Sequence, residues 1–321
     1  MVSKQIALLG ANSHIGKGLI SEFIRHRPDE FATTVLYARD PCALSAWIKA
    51  EFQIEKLAHH PKVFGQKQFD IVINAIGVSD MVRIAEIGSQ VFDINRHYDE
   101  RVMSYLDSFP ATKYIYLSSG AVYGGAFEEP TTSDTCAHVN LNMPSQLDWY
   151  GLAKLSSEIR HRSKSDLAIV DVRIFGYVSS WLPTDRPFFL VDVVKALMDR
   201  TPLSTDRKDF WRDYIGPTEL AQVVYSIIDS PASNTSIDVY SAAPILKTYL
   251  LEVLIRDFSL RVDYKEDDQF ESNAAYKFNY FSTDRRAKSF GYIPKRTSEQ
   301  VVVQELSRFL HMSSSAPSNS K

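Results

Sequence analysis

The sequence predicts an α/β fold: a doubly wound parallel sheet with a smaller, mixed α/β lobe appended. Three observations predict it. Short apolar runs alternate with longer helical patterns through the first half of the chain. A glycine-bearing turn joins the first run to the first helix. After Arg173 the rhythm gives way to mixed short segments. Strands that each lead into a helix pair in parallel, because a parallel neighbour is reached only through a crossover.

In order, Lys4–Leu9 reads as a buried strand and Ile15–Arg25 as the helix after it. Thr34–Ala38 and Leu44–Lys56 repeat the pair. Phe69–Ala75 is a strand, Val91–Ser108 a helix, Tyr114–Leu117 a strand, Trp149–Lys164 a helix and Leu167–Arg173 a strand. Glu128–Leu147, with its Pro, Thr, Asn and Ser, reads as a loop over a site. Beyond Arg173, Val178–Pro187 is loop-like, Phe189–Met198 helical, Pro202–Arg212 irregular and Glu219–Ser230 helical again. Ile237–Tyr240, Thr248–Phe258 and Arg261–Tyr264 mix strands and helices. The expected division is a main domain over residues 1–176 and a smaller lobe over 177–311, with the helix near 219–230 returning to the main domain. Residues 312–321 are Ser-rich with little apolar content and are expected to form a disordered tail.

The 321 residues suffice for a large core, and 45% apolar with 23% charged residues is ordinary for a globular protein. A net charge of -3 gives no electrostatic case for nucleic acid or an anionic membrane as partner. No apolar stretch is long enough to span a bilayer. The N-terminus enters a strand-like run at once, so no signal peptide is expected. Cys42 and Cys136 are the only cysteines. That excludes a disulfide framework, removes thiolate zinc sites and predicts a reducing, cytoplasmic setting. His59 and His60 lack a carboxylate at ligand spacing and read as solvated loop residues, so no metal site is expected.

The first strand runs into Gly10-Ala11-Asn12-Ser13-His14-Ile15-Gly16. Glycine at the turn lets the chain double back, and glycine at the helix start lets helix and strand approach closely. The free amides of this loop and the helix dipole then suit a pyrophosphate, which predicts a dinucleotide-binding, Rossmann-type domain. A P-loop fails on spacing: five residues separate the two glycines, and Gly18 follows Lys17 where a Ser or Thr is needed. The second strand ends Tyr37-Ala38-Arg39-Asp40. An arginine there accommodates the 2′-phosphate of NADP, whereas an acid would bind the ribose of NAD. Arg39 favours NADP(H); Asp40 keeps NAD(H) open.

Tyr150 and Lys154 stand four apart on a predicted helix, hence on one face. A nearby ammonium favours phenolate, so the pair is expected to lower a tyrosine pKa from about 10 toward a usable acid. Hydride transfer at a carbonyl needs such a group, because the oxygen must gain or lose a proton.

Together these segments resemble the extended short-chain dehydrogenase/reductase family, within it the nucleotide-sugar epimerases, dehydratases and 4-ketoreductases. Gly10-x-x-Ser13-x-x-Gly16 is similar to the family's Gly-x-x-Gly-x-x-Gly, with Ser at the middle glycine. Asp70–Gly77 resembles the strand motif that lies along the cofactor, which implies contacts from Ala75 and Gly77. Leu117–Gly124 resembles the strand carrying the catalytic Ser or Thr and puts that role on Ser119. Tyr150 and Lys154 match the catalytic pair, and Glu158 the acid one turn on. Arg173-Ile174-Phe175-Gly176 resembles Arg-x-Phe-Asn with Gly176 in place of Asn. Arg212-Asp213-Tyr214-Ile215 matches a motif whose arginine grips the nucleotide diphosphate, and Asp284–Pro294 resembles the closing motif of the C-terminal lobe.

The resemblance implies cofactor contacts from Gly10, Asn12, Ser13, His14, Ile15, Gly16, Arg39, Ala75, Gly77, Tyr150 and Lys154, and substrate contacts from Ser119, Tyr150 and Arg212. The dehydratase acid pair has no counterpart, since Gly120 and Ala121 follow Ser119. The expectation is an NADP(H)-dependent reductase of a nucleotide-linked keto sugar. The alternatives are an epimerase with tightly bound NAD and a non-catalytic NADP-sensing protein. A helix-paired homodimer is carried over from the family as an expectation.

Overall fold

In the computed structural model, residues 3–78, 80–125, 127–142, 144, 146–186, 188–265 and 277–315 are described. Strands β1 (Ile6–Leu9), β2 (Val35–Tyr37) and β3 (Ala58–His59) alternate with helices α1 (His14–His26), α2 (Pro28–Thr33) and α3 (Pro41–Phe52). β4 (Ile71–Asn74) leads to α4 (Met81–Ile87) and α5 (Gln90–Ser108), and β5 (Lys113–Ser119) to α6 (Gln146–Arg162) and β6 (Ile169–Ile174). There follow β7 (Gly176–Tyr177), α7 (Phe189–Asp199), β8 (Leu203–Thr205), β9 (Trp211–Arg212), β10 (Tyr214–Ile215) and α8 (Pro217–Asp229). The chain ends with β11 (Thr235–Asp238), β12 (Ile245–Leu246), α9 (Lys247–Phe258), β13 (Val262–Tyr264), β14 (Asn279–Tyr280) and α10 (Ser298–Ser315).

Seven parallel strands form the main sheet in the order β11-β6-β5-β4-β1-β2-β3. Strand order reverses between β1 and β4, the crevice where such sheets take ligands. Period-two alternation divides the strand residues between two faces. Ile6, Leu8, Leu36, Ile71, Ile73, Ile115 and Leu117 pack under α1, α3 and α8. Ala7, Leu9, Tyr37, Val72, Tyr114 and Tyr116 pack under α5 through Val102, Tyr105 and Leu106. A separate core from Val178 through α7, α9 and α10 holds the smaller lobe.

Several expectations needed revision. α8 lies on the main core through Leu220, Val223, Val224 and Ile227. But β11 follows it into the main sheet, pairing in parallel with β6 from Thr235↔Val170 to Asp238↔Arg173. The segment around Ile237 thus belongs to the main domain, because α8 acts as the crossover for a further parallel strand. The irregular stretch Pro202–Arg212 contains β8 and β9. Met312–Ser315 continue α10 instead of opening a tail, and residues 316–321 lie outside the described residues. Of the loop Glu128–Leu147, Met143 and Ser145 also lie outside them, as does Pro187. No described helix is long and apolar enough to cross a membrane, and no described cluster of His, Cys, Asp and Glu is placed to hold a metal.

Candidate active site

The loop after β1 is built by close backbone approaches. Gly10 has φ +76, and a Cβ there would lie 2.8 Å from the Ala75 carbonyl. A Cβ on Gly16 would lie 2.5 Å from the Gly10 carbonyl oxygen. Ser13 turns back on its own helix: its Oγ accepts from the Gly16 amide at 3.0 Å as the N-cap of α1. The serine at the middle position therefore organises the loop. His14 packs edge-on against Tyr177 with centroids 4.8 Å apart, and burial, with Arg186 and Lys17 nearby, drives its pKa down to about 3. Its imidazole is neutral. Asn12 is exposed and Ile15 half-buried at the same helix end.

At the end of β2, Arg39 is exposed and has no side-chain partner among the described residues. Asp40, the rival for the ribose, caps α3: its Oδ1 accepts from the Ala43 amide at 2.9 Å. At the end of β4, Ala75 donates to the Leu9 carbonyl at 2.9 Å, and a Cβ on Gly77 would lie 3.2 Å from Lys154 Nζ. Each of these glycines lets another part of the protein come close: the Ala75 carbonyl at Gly10, the Gly10 and Ala11 carbonyls at Gly16, and Lys154 at Gly77.

Ser119 ends β5, and its Oγ accepts from the Ala121 amide at 3.2 Å. α6 presses on that turn so closely that a Cβ on Gly151 would collide with the Ala121 carbonyl oxygen. The glycine beside Tyr150 thereby brings the phenol to Ser119, whose hydrogen bond favours the phenolate against the burial that disfavours it. Burial wins, and the Tyr150 pKa lies above its ordinary value.

The expected lowering of the Tyr150 pKa by Lys154 is not found. Lys154 Nζ donates instead to the Leu117 carbonyl at 2.8 Å and the Ile76 carbonyl at 3.4 Å, and sits 4.2 Å over the Tyr116 ring. Its own pKa falls to about 8 through burial, partly offset by Asp99, Glu158 and Asp171. Each of these acids has another cation. His161 bridges Asp99 at 2.8 Å and Asp171 at 2.6 Å, and Arg173 holds Glu158 at 2.5 Å.

On the lobe side, Arg212 Nη1 donates to the Trp211 and Lys277 carbonyls at 2.7 and 2.8 Å. The guanidinium lies 4.2 Å over Phe210 and 5.7 Å from the Tyr280 ring. Asp213 does not pair with it, accepting instead from the Ser241 amide at 2.9 Å and the Ser298 hydroxyl at 3.2 Å.

A model of the NAD dependent epimerase/dehydratase family matches residues 6–243, most of the chain. The chain belongs to that family. The match bears out the short-chain dehydrogenase/reductase resemblance and makes the protein an NAD(P)-dependent enzyme of that type. Solved structures share the fold at low identity. One is a UDP-glucose 4-epimerase from Stenotrophomonas maltophila with bound NAD: TM-score 0.79, 13% identity, 98% of this chain and 100% of that one covered. Another is the UDP-N-acetylglucosamine 4-epimerase from Methanobrevibacter ruminantium in complex with UDP-N-acetylmuramic acid: TM-score 0.79, 15% identity, 97% and 100% covered. A third is RMD from Pseudomonas aeruginosa complexed with NADPH: TM-score 0.71, 16% identity, 96% and 99% covered. No curated protein matches the sequence.

In this member of the epimerase/dehydratase family, three residues outside the motifs lie beside the expected site residues. Asn95 on α5 donates to the Val91 carbonyl at 2.8 Å, while its buried Oδ1, beside Gly77, has no hydrogen-bond partner among the described residues. Tyr280 on β14 brings its hydroxyl 3.4 Å from Ser119 Oγ. Lys277 places its ammonium 4.8 Å over the Tyr280 ring. Asn95 had a legible signal, since it falls on the same face of α5 as Val91 and Asp99. Tyr280 and Lys277 had none. They reach the site because the loop after Ser119 is laced to β14, with Asn279 donating to the Phe127 carbonyl at 2.8 Å and Thr131 to the Phe281 carbonyl at 3.0 Å.

Proposed function

We propose that the protein is an NADP(H)-dependent reductase of a nucleotide-linked keto sugar. The observation that carries this reading is Arg39, exposed and without a side-chain partner among the described residues just past β2, while Asp40 is tied down as a helix cap. That leaves a cation for a 2′-phosphate and withdraws the acid that NAD would use. Glycine at 10 and 16 lets the turn, the end of β4 and the start of α1 close on one another, and such a tight turn at a helix N-terminus suits a pyrophosphate.

The nicotinamide supplies the hydride. In this reading the loop from Gly10 to Gly16 holds the pyrophosphate with its amides, and Lys154 holds the nicotinamide ribose. Ser119 donates to the substrate carbonyl oxygen. Tyr150 gives its proton to the oxygen as negative charge develops there. A phenol kept protonated by burial is in the form that reduction requires. Arg212 meets the substrate diphosphate as a planar donor. An epimerase with retained NAD is the second reading, favoured by the family match itself.

The deciding experiment combines two measurements. The purified protein should carry no tightly held NAD and should take up NADPH. Single-turnover oxidation of NADPH with a keto-sugar nucleotide should slow by roughly a hundred- to ten-thousand-fold in Tyr150→Phe, with cofactor affinity retained. Co-purified NAD would favour the epimerase, and a wild-type rate in the variant would remove Tyr150 as the acid.

A further inference from the structure

We propose that Arg186 is a cofactor-binding cation that exchanges its carboxylate partner, Asp80, for the pyrophosphate of the dinucleotide. The proposal rests on the dinucleotide part of the reading above and adds to it a residue outside every motif. The segment between β7 and α7 carries it. Tyr177, at the start of that segment, packs on His14, the first residue of α1, with ring centroids 4.8 Å apart. Trp181 meets Trp47 of α3 with centroids 5.7 Å apart. Arg186, just before α7, reaches Asp80, which follows β4 and caps α4; its Nε lies 3.7 Å from Asp80 Oδ2. The segment thus begins on the β1 side of the strand-order reversal and is tied down on the β4 side. A dinucleotide held by the loop after β1 lies in that crevice, so its pyrophosphate comes to the place that the Arg186–Asp80 pair closes.

The pair is loose enough to exchange. Asp80 already uses Oδ1 on the Val82 and Arg83 amides, at 3.0 and 3.3 Å, and offers Arg186 only Oδ2, beyond hydrogen-bond distance. The Arg186 side chain is 34% exposed, and ion pairs so placed are weak. A phosphate offers the same guanidinium a charge-assisted, two-pronged contact, which is stronger. The neighbouring basic groups do not stand in for it. His14 is neutral, and Lys17, in the same turn of α1, lies over the Trp47 ring at 4.9 Å. Arg186 is near enough to α1 for its charge to help keep His14 unprotonated. An anion at the start of α1 therefore meets the helix dipole and the Arg186 charge together. Asp80 is the competitor that holds this cation in the free protein.

The test is calorimetry of the full chain with NADPH, NADH, ADP-ribose and 2′-AMP, in wild type, Arg186→Gln, Asp80→Asn and the double variant. Arg186→Gln should bind NADPH, NADH and ADP-ribose roughly ten- to a hundredfold more weakly, by a similar factor for each, because all carry the pyrophosphate. 2′-AMP lacks it and should bind as in wild type, and unaltered far-ultraviolet dichroism shows that the variant has folded. Arg186→Lys should fall between the two, keeping the charge and losing the fork. Asp80→Asn keeps a helix cap and removes the competing charge. It should bind the pyrophosphate ligands about two- to fivefold more tightly, and the gain should vanish in the double variant, since it acts through Arg186. A pair that is only a strut across the crevice predicts otherwise: both single variants break the same contact and weaken the cofactor together. That outcome, unchanged affinity in either single variant, or a gain that persists in the double variant overturns the proposal. So does a loss in Arg186→Gln for UDP or dTDP without one for ADP-ribose. NADH and NADPH are read alike, so Arg186 can fail while the NADP(H) and reductase readings stand, and the reverse. If no pyrophosphate ligand binds wild type within about millimolar reach, the dinucleotide reading and the Arg186 role fall together.

Discussion

Replacing Lys154 by methionine is expected to stabilise the ligand-free fold at neutral pH while abolishing turnover. Burial lowers the Lys154 pKa from 10.5 to about 8. The folded chain therefore holds this proton less tightly than the unfolded chain does. Between those two values the unfolded state binds more protons, so stability rises with pH through the window, and below about pH 8 the whole cost of the buried ammonium is felt. A shift of that size corresponds to roughly 3 kcal/mol. Losing the hydrogen bond to the Leu117 carbonyl takes back about 1 kcal/mol, leaving about 2 kcal/mol of expected gain at pH 7. No buried acid is orphaned by the change. Asp99 keeps His161 and Arg160, Asp171 keeps His161 and Arg162, and Glu158 keeps Arg173. Methionine has a similar unbranched shape and can pack on the Tyr116 ring. Thermal melting of both proteins at neutral pH and near the unperturbed lysine pKa would read the effect. The variant should melt higher at neutral pH, and its advantage should shrink in alkali. A lower melting temperature at neutral pH, or an advantage indifferent to pH, would refute the reasoning.

Two further outcomes are expected. Arg39→Ala should weaken NADPH by roughly one to two decades, about 1.5–3 kcal/mol, and leave NADH nearly unchanged; equal losses in a nicotinamide-fluorescence titration would withdraw the NADP assignment. Gly16→Ala should cost about 1–3 kcal/mol of stability and most of the cofactor affinity, because the new Cβ meets the fixed backbone of Gly10 and Ala11; unaltered melting and NADPH binding would contradict the close packing of the loop.

Local signals carried much of this protein. Glycine at positions 10 and 16 is demanded by a turn and a helix start a few residues apart, so the loop is legible in one short run. The paired faces of the main sheet follow from alternation within each strand. Arg39 and Asp40 were ambiguous as neighbours in sequence and separated only in space, where α3 needed a cap and took Asp40. Lys154 misled for a related reason. Helical spacing correctly put it on the face of Tyr150, but spacing says nothing of the Leu117 carbonyl and Tyr116 ring that hold its ammonium.

What the sequence by itself determined is the chain of strand, glycine turn and helix, and the helix face that Tyr150 shares with Lys154, since each depends on contacts within one element or one turn; Ser119 and Arg212 were singled out only by the resemblance of their motifs. What only the tertiary structure decided is the company those residues keep. The seventh strand joined the main sheet because α8 found α1, more than a hundred and ninety residues away in the chain. Tyr280 and Lys277 reached Ser119 because β14 is hydrogen-bonded to the loop that follows β5. Burial, which sets the protonation of Tyr150, Lys154 and Lys277, is a property of the whole packed chain and is written in no single segment of it.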